Sequence, residues 1–151
     1  MESTKTVRQL LKVRRGPVWT TSPDASVSDA VHLMTTKDVG ALMVLDGERV
    51  AGIITERDVA RKVVAAGRLE GLRVGDLMTE RVLYVRPEQP LAECMALMSE
   101  RQVRHLPVLE HGQLVGIISI RDVVADIVAE QSFLIEQLEQ YIYELPPHQR
   151  T

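Results

Sequence analysis

The first half of the chain alternates short apolar runs with amphipathic stretches, in an order that predicts five elements. Residues 18–21 form a brief extended run. A helix follows, because apolar side chains recur at the spacing of one helical face: Val27, Ala30, Val31 and Met34. Residues 41–45 and 50–54 predict two strands, and a second helix is predicted from Thr55 to a glycine stop at Gly67. The order is β-α-β-β-α.

The same pattern then occurs a second time. Residues 52–58 (GIITERD) recur as residues 116–122 (GIISIRD), an offset of 64 residues that also relates Pro23 to Pro87. The second copy predicts the matching elements: an extended run at 82–85, a helix carrying Leu91, Cys94, Met95 and Met98, strands at 105–109 and 114–118, and a helix from Ser119. Because neither half shows a convincing core of its own, we predict an α+β fold of two repeats whose sheets pack face to face by pseudo-twofold symmetry.

Segments outside the two repeats complete the predicted organisation. Residues 74–78 (VGDLM) are weakly echoed by residues 7–11 (VRQLL), which predicts a lead-in segment before each repeat. Residues 133–145 predict a further helix that ends at Pro146-Pro147 and either packs on its own chain or forms a dimer contact. The predicted ranges are 1–16 for the N-terminal lead-in, 17–70 and 81–130 for the repeats, 71–80 for the linker, and 131–151 for the C-terminal helix and tail.

Composition and charge exclude several classes of function. The net charge of −3 disfavours nucleic acid as the main partner, although Arg8, Lys12, Arg14 and Arg15 form a local basic run. The single cysteine, Cys94, rules out an intrachain disulfide and makes a zinc site improbable. No signal peptide or membrane-spanning run is apparent, so a cytoplasmic location without membrane association is expected.

The repeated Gly-apolar-apolar-Thr/Ser-x-x-Asp string supports two interpretations. One is structural: Thr55 and Ser119 are helix N-caps, and Asp58 and Asp122 close a capping box. The other is an anion site, because each copy also places an arginine in the first helical turn, where the helix dipole disfavours cations. These arginines are Arg57 and Arg121. Backbone N–H groups, the Thr or Ser hydroxyl and the guanidinium would together bind a phosphate.

The aspartates have a complementary role in a nucleotide site. A carboxylate such as Asp58 or Asp122 accepts hydrogen bonds from the two vicinal hydroxyls of a ribose. The adenine needs an apolar slot, which the strand backbones at 18–21, 82–85, 40–43 and 104–107 are placed to supply. The candidate slot residues on the two leading extended runs are Val18, Thr20, Val82 and Tyr84.

The chain resembles a tandem of CBS domains, a family named for cystathionine β-synthase, over about residues 5–130. The resemblance implies up to two clefts for adenosyl ligands: AMP, ADP or ATP, with NAD or S-adenosylmethionine as further options. It also implies phosphate or ribose contacts from Thr55 and Ser119, and ribose contacts from Asp58 and Asp122. The second repeat has the family's basic strand start, Arg104-His105-Leu106-Pro107, whereas the first has Gly40-Ala41-Leu42-Met43. One cleft is therefore expected to hold phosphates better than the other.

The leading hypothesis is a regulatory sensor that binds an adenine nucleotide, forms a homodimer and acts in trans on another protein. No catalytic set is recognisable, so an enzyme is not expected and no cofactor is required. The rival hypothesis is a structural homodimer with degenerate, ligand-free clefts. His105 is a candidate phosphate contact or pH-sensitive group, with a half-exposed inert histidine as the alternative.

Overall fold

A computed structural model describes residues 5–13, 16–144 and 148, with Tyr143 described by its backbone alone. The elements follow one another along the chain as α1 Val7–Val13, β1 Thr20–Thr21, α2 Val27–Lys37, β2 Ala41–Asp46, β3 Arg49–Thr55, α3 Glu56–Ala66, α4 Val74–Leu77, α5 Leu91–Arg101, β4 His105–Glu110, β5 Gln113–Ser119 and α6 Ile120–Glu144. This is the predicted α+β architecture of two repeats.

The two sheets have the same register. In the first, β1 runs parallel to β2 and β2 antiparallel to β3, with Ala41 opposite Thr55. In the second, β4 runs antiparallel to β5 with His105 opposite Ser119, 64 residues further along. The extended run predicted at 82–85 is reduced to a single parallel bridge between Val85 and Val108. The four long strands confirm the predicted strands and extend each by a residue or two.

The C-terminal helix differs from the prediction. The structure has one 25-residue helix, α6. The sequence predicts two helices, the last helix of the second repeat and a separate helix from Phe133. The reason is the residue at the equivalent stop position. Gly67 ends α3 in the left-handed conformation (φ 72°), whereas the matching residue is Gln131, and no glycine or proline lies between Arg121 and Pro146. The predicted stop at Pro146-Pro147 lies outside the described residues.

The lead-in segments cross over between the repeats. The segment before the second repeat packs on the first: Val74 N–H donates to the Ala25 carbonyl (2.8 Å). The segment before the first repeat packs on the second, since Val7 N–H donates to the Gln89 carbonyl (2.9 Å). Two further backbone hydrogen bonds join each lead-in segment to the repeat it packs on. On the first repeat, Gly75 N–H donates to the Pro23 carbonyl and Val27 N–H to the Leu72 carbonyl. On the second repeat, the matching bonds run from Arg8 N–H to the Pro87 carbonyl and from Leu91 N–H to the Lys5 carbonyl.

This crossing completes a hydrophobic core in each repeat with apolar residues from outside that repeat, so neither repeat forms its core alone. The first cluster joins Leu42, Val44 and Ile54 to Val74 and Leu77 of the linker. The second is completed by the N-terminal segment and comprises Val7, Leu10, Val85, Leu91, Cys94, Met98, Leu106, Val108, Ile118 and Val123. A third, smaller cluster lies between the sheets and confirms that they face each other: Ala41, Met43 and Ile53, with Val18, Val50, Val82, Leu114 and Ile117 against them.

Candidate functional site

The first motif is a closed capping box where β3 turns into α3. Thr55 Oγ1 accepts a hydrogen bond from the Asp58 N–H (3.1 Å), and Asp58 Oδ2 accepts one from the Thr55 N–H (3.1 Å). The Thr55 hydroxyl also lies 3.1 Å from Asp58 Oδ2, to which it donates. The structural interpretation of the motif is therefore confirmed. These bonds also fix the direction of the Asp58 carboxylate.

The second oxygen of Asp58 faces side chains from outside the motif. The Lys62 ammonium lies 3.7 Å from Asp58 Oδ1 and donates to the Leu77 carbonyl at 2.6 Å. The Thr79 hydroxyl is 3.4 Å from the same oxygen. The Asp58 side chain is 18% exposed, so part of the carboxylate remains accessible. A carboxylate has about four lone-pair positions, which leaves acceptor capacity for a ligand hydroxyl.

Asp58 lines a cleft of about 360 Å³ whose opposite wall comes from the second repeat. That wall is built by the end of α5 and the start of β4, including Arg104, His105 and Pro107. The extended residues Val82 and Leu83 form another side. The structure thus pairs the motif of the first repeat with the basic strand start of the second. Which aspartate faces the basic strand was open at the level of sequence, and it is Asp58.

Five arginines surround this cleft, which we call the arginine-rich cleft. They are Arg57, Arg61, Arg81, Arg101 and Arg104. Arg57 Nη1 donates to the Gln102 carbonyl (2.9 Å) and so ties α3 to the second repeat. Within the described part of the chain, the other four form no ion pair. Only two carboxylates line the cleft, those of Glu56 and Asp58, so its charge is positive and suited to an anion.

His105 is half-buried in the wall beside Gly40. A Cβ atom on Gly40 would lie 3.1 Å from His105 Nε2 and 3.5 Å from Glu56 Oε2, so the two side chains meet over this glycine. Burial lowers the pKa of His105 below its ordinary value of 6.5, and the neighbouring Arg104 charge lowers it further. The imidazole is consequently neutral at pH 7 in the free protein.

The second motif is formed by the same backbone but sits in different surroundings. Ser119 N–H donates to Asp122 Oδ2 (3.0 Å) and Ser119 Oγ accepts from the Asp122 N–H (3.1 Å). Asp122 is more enclosed than Asp58, with 8% of its surface exposed. Arg121 is exposed. The strand start of the first repeat that corresponds to Arg104-His105 is Gly40-Ala41, which carries no charge.

The remaining predicted residues lie outside the lining of the arginine-rich cleft. Leu106 is fully buried in the core of the second repeat, because alternate residues of β4 face opposite sides of the sheet. Val18 packs in the cluster between the sheets. Thr20 is exposed on β1, and Tyr84 is 37% exposed with its pKa raised by burial of the rest of the ring.

Several lining residues were not predicted. Glu56 and Arg61 lie on α3, Thr79 comes from the linker, Arg81 follows it directly, and Gln102 ends α5 in the left-handed conformation (φ 55°). The motif itself contains Glu56, and Arg61 follows one helical turn after Arg57, so spacing could have indicated both. No sequence signal pointed to Thr79 or Arg81, because their position depends on the crossing of the linker.

Arg8 of the basic run near the N-terminus is engaged by acidic side chains of its own chain. Arg8 is ion-paired with Glu88 (3.0 Å) and with Glu110. Arg14 and Arg15 lie outside the described residues. No helix in the described ranges is long and apolar enough to span a membrane.

Two α+β repeats, the first of β-α-β-β-α order and the second with its first strand reduced to a bridge, enclose a cleft and define a tandem-repeat protein of the CBS type. The family model for the CBS domain matches residues 7–65 and 74–129, and the chain belongs to that family. A solved structure of a CBS-domain protein from Burkholderia ambifaria MC40-6 is 48% identical, has a TM-score of 0.81, and is matched over 84% of this chain and 96% of that one.

Two further relatives extend the comparison. The mitochondrial CBS domain-containing protein CBSX3 of Arabidopsis thaliana is 40% identical over 131 residues, which cover 83% of this chain and 63% of the relative. The chain thus spans less than two thirds of that protein, and a cytoplasmic location for this chain stays a prediction. A hexameric CBS-CP12 protein from bloom-forming cyanobacteria is 30% identical with a TM-score of 0.71, over 80% of this chain and 67% of that one.

Proposed function

We propose that this protein is a regulatory module that binds an adenine nucleotide in the arginine-rich cleft and acts on a partner protein in trans. One observation carries the proposal: Thr55 and Asp58 of the first repeat share a cleft with Arg104 and His105 of the second. A carboxylate suited to ribose and guanidinium groups suited to phosphate therefore lie on opposing walls. A cleft of this volume falls within the usual range for small-molecule sites, roughly 300–1,000 Å³.

Each part of a nucleotide has a matching group in the cleft. We assign the ribose hydroxyls to Asp58 and the phosphates to the arginines that line the cleft. The base is assigned to the apolar part of the lining. That part consists of Ile53, Val82, Leu83, Val103 and Pro107.

The charge of the cleft favours some adenosyl ligands over others. S-adenosylmethionine carries a sulfonium cation, which five arginines repel, whereas ATP and ADP carry more negative charge than AMP or NAD. We therefore expect ATP and ADP to bind most tightly. The proposal includes pairing into a homodimer, and self-association of a relative, the hexameric cyanobacterial protein, supports it. Binding without turnover is proposed, because no catalytic set is recognisable in the sequence.

Thermal unfolding of the purified protein with ATP, ADP, AMP, NAD and S-adenosylmethionine tests the proposal. A ligand present at 100 times its dissociation constant should stabilise the fold by about 2.7 kcal/mol. We expect the largest rise in midpoint with ATP or ADP and none with S-adenosylmethionine. If no nucleotide raises the midpoint at millimolar concentration, the cleft is unoccupied in function and the structural-homodimer hypothesis takes its place.

We expect nucleotide binding to tighten as the pH falls from 8 towards 6. A phosphate beside His105 favours the protonated imidazole and reverses the lowered pKa, so binding takes up a proton. The gain is limited to about tenfold per pH unit for one linked proton. Titration calorimetry with ADP at several pH values measures it. His105→Gln removes the imidazole but leaves the titration of the ADP phosphate unchanged. The ADP affinity of this variant should therefore depend less on pH than that of the wild type.

The free protein should show the opposite trend. With its folded pKa lowered, His105 contributes stability that is fully present above pH 6.5 and is lost as the pH falls from there towards the folded value. Denaturant unfolding without nucleotide, compared between the wild type and His105→Gln, isolates this contribution. Equal pH slopes for both proteins, with and without ADP, would show that His105 is inert.

A further inference from the structure

Helix α6 extends beyond the second repeat as an exposed arm. All residues from Val128 to Ile142 are exposed, so the rest of the described chain covers little of this stretch. At about 1.5 Å per residue, the arm is roughly 22 Å long. It nevertheless carries seven large apolar side chains: Val128, Phe133, Leu134, Ile135, Leu138, Tyr141 and Ile142. A helix with so much apolar surface in water needs a covering partner.

The apolar positions on one side of α6 follow a heptad repeat. Steps of four and three residues alternate through Val124, Val128, Gln131, Ile135, Leu138 and Ile142, and the sequence continues the pattern at Leu145, outside the described residues. We call these positions the α6 seam. The five apolar side chains of the seam within the described residues are each 45–55% exposed. The pattern spans three heptads, the lower end of the length at which a coiled coil is indicated.

We propose that the α6 seam pairs with the α6 seam of a second copy of this chain to form a parallel two-stranded coiled coil. The β-branched residues Val128, Ile135 and Ile142 occupy the a positions, and Leu138 occupies a d position. This distribution favours two parallel strands over higher assemblies. Gln131, the polar d residue, fixes the register. The inference rests on the homodimer in the proposed function and identifies the α6 seam as its interface.

The charges on α6 support a second copy as the occupant. Four acids lie along the arm, at Glu130, Glu136, Glu139 and Glu144, and no lysine or arginine occurs between Arg121 and Arg150. An anionic helix disfavours an anionic membrane or nucleic acid as its partner, since helices that bind such surfaces are rich in lysine and arginine.

The acids also lie where a parallel pair tolerates them. Three of the four are at outer b or c positions of the heptad, and only Glu139, at e, flanks the seam. In a parallel pair, the position facing Glu139 is the g position of the preceding heptad, which is Leu134. No like charges meet across the interface, so pairing of identical chains is not opposed by repulsion.

The other end of α6 joins this arm firmly to the second repeat. Val123 is fully buried in the core of that repeat, and Asp122 is nearly so. Lys5 of the N-terminal segment forms an ion pair with Asp126 (3.0 Å), which fixes the next turn. A pair of α6 seams would therefore set the spacing of the two chains without a flexible joint.

Sedimentation velocity of the full chain tests the pairing. We expect a dimer for the wild type and a dimer dissociation constant raised by about 100-fold or more for Ile135→Asp/Leu138→Asp, since two carboxylates per chain then enter the apolar seam. Phe133→Asp is the matched control, because this exposed residue is at the outer f position, and its dimer should persist. All three proteins should keep the same nucleotide-induced rise in unfolding midpoint, which separates this test from that of the cleft.

Crosslinking tests the parallel direction. In a parallel pair Gln131 faces Gln131 of the partner, so Gln131→Cys should form an intermolecular disulfide on mild oxidation, whereas Phe133→Cys should not. The native Cys94 is buried and its pKa is raised to about 11, so it stays unreactive. A monomeric wild type, or a dimer indifferent to Ile135→Asp/Leu138→Asp, overturns the coiled coil. A seam-dependent dimer without the Gln131→Cys crosslink overturns the parallel arrangement.

Discussion

Replacing Asp58 by asparagine should abolish the stabilisation that ADP or ATP provides, about 2.7 kcal/mol at 100 times the dissociation constant. The side chain keeps its size, but it loses the negative charge that accepts the ribose hydroxyls and it turns an amide towards them. Chemical unfolding with and without nucleotide measures the effect as the change in unfolding free energy. The ligand-free variant should also be weakened by about 1 kcal/mol, because Asp58 closes the capping box.

Asp122→Asn is the matched control for this result. Asp122 makes the same backbone bonds with Ser119 as Asp58 makes with Thr55, so the loss of ligand-free stability should be similar. Asp122 does not line the arginine-rich cleft, and we therefore expect the nucleotide response to survive. If Asp122→Asn removes the response and Asp58→Asn retains it, the assignment of the cleft is wrong. Retention in both variants would show that neither carboxylate binds the nucleotide.

Leu10→Ala should lower the unfolding free energy by about 2–5 kcal/mol, although Leu10 lies in a short helix near the N-terminus. The side chain is 2% exposed and lies in the core of the second repeat with Leu91 and Leu106. Truncation leaves a cavity that the surrounding strands and helices cannot fill. Urea unfolding, followed by circular dichroism, measures the loss.

Two further variants show whether this loss reflects the crossing of the lead-ins. Leu77 is the equivalent residue on the first repeat and is also 2% exposed, so Leu77→Ala should cost a similar amount. Val13, on the same helix as Leu10, is 75% exposed, and Val13→Ala should change stability by no more than about 0.5 kcal/mol. Equal, small effects of Leu10→Ala and Val13→Ala would mean that α1 is not part of the core.

The sequence predicts most of the regular elements because the repeat provides each of them twice. The strand that ends at Thr55 and the strand that ends at Ser119 have matching sequences, so the prediction of each supports the prediction of the other. Gly67 marks the end of α3. The same symmetry misleads where the copies diverge. Gln131 replaces the stop glycine, so α6 continues where the repeat pattern predicts an end.

The candidate site was predictable only in part for a related reason. The residues on each wall, such as Asp58 and His105, belong to local motifs and were named from the sequence. Their pairing across the cleft depends on how the repeats face each other, which no local pattern encodes. Thr79 and Arg81 enter the lining because the linker is held against β3 by two backbone bonds between Ile53 and Thr79 (3.0 and 2.8 Å). Such long-range pairing is a property of topology.

The crossed lead-in segments also bear on the ancestry of the chain. A single ancestral repeat, carrying its own lead-in, could have satisfied the bonds now made by Val7 and Val74 only by exchanging that segment with an identical neighbour. Gene duplication and fusion would then have placed both repeats in one chain. The lead-in of each repeat would pack on the other repeat within the same molecule, where its effective concentration is far higher. The same set of backbone bonds occurs at both crossings, as expected if such a swapped ancestor was duplicated.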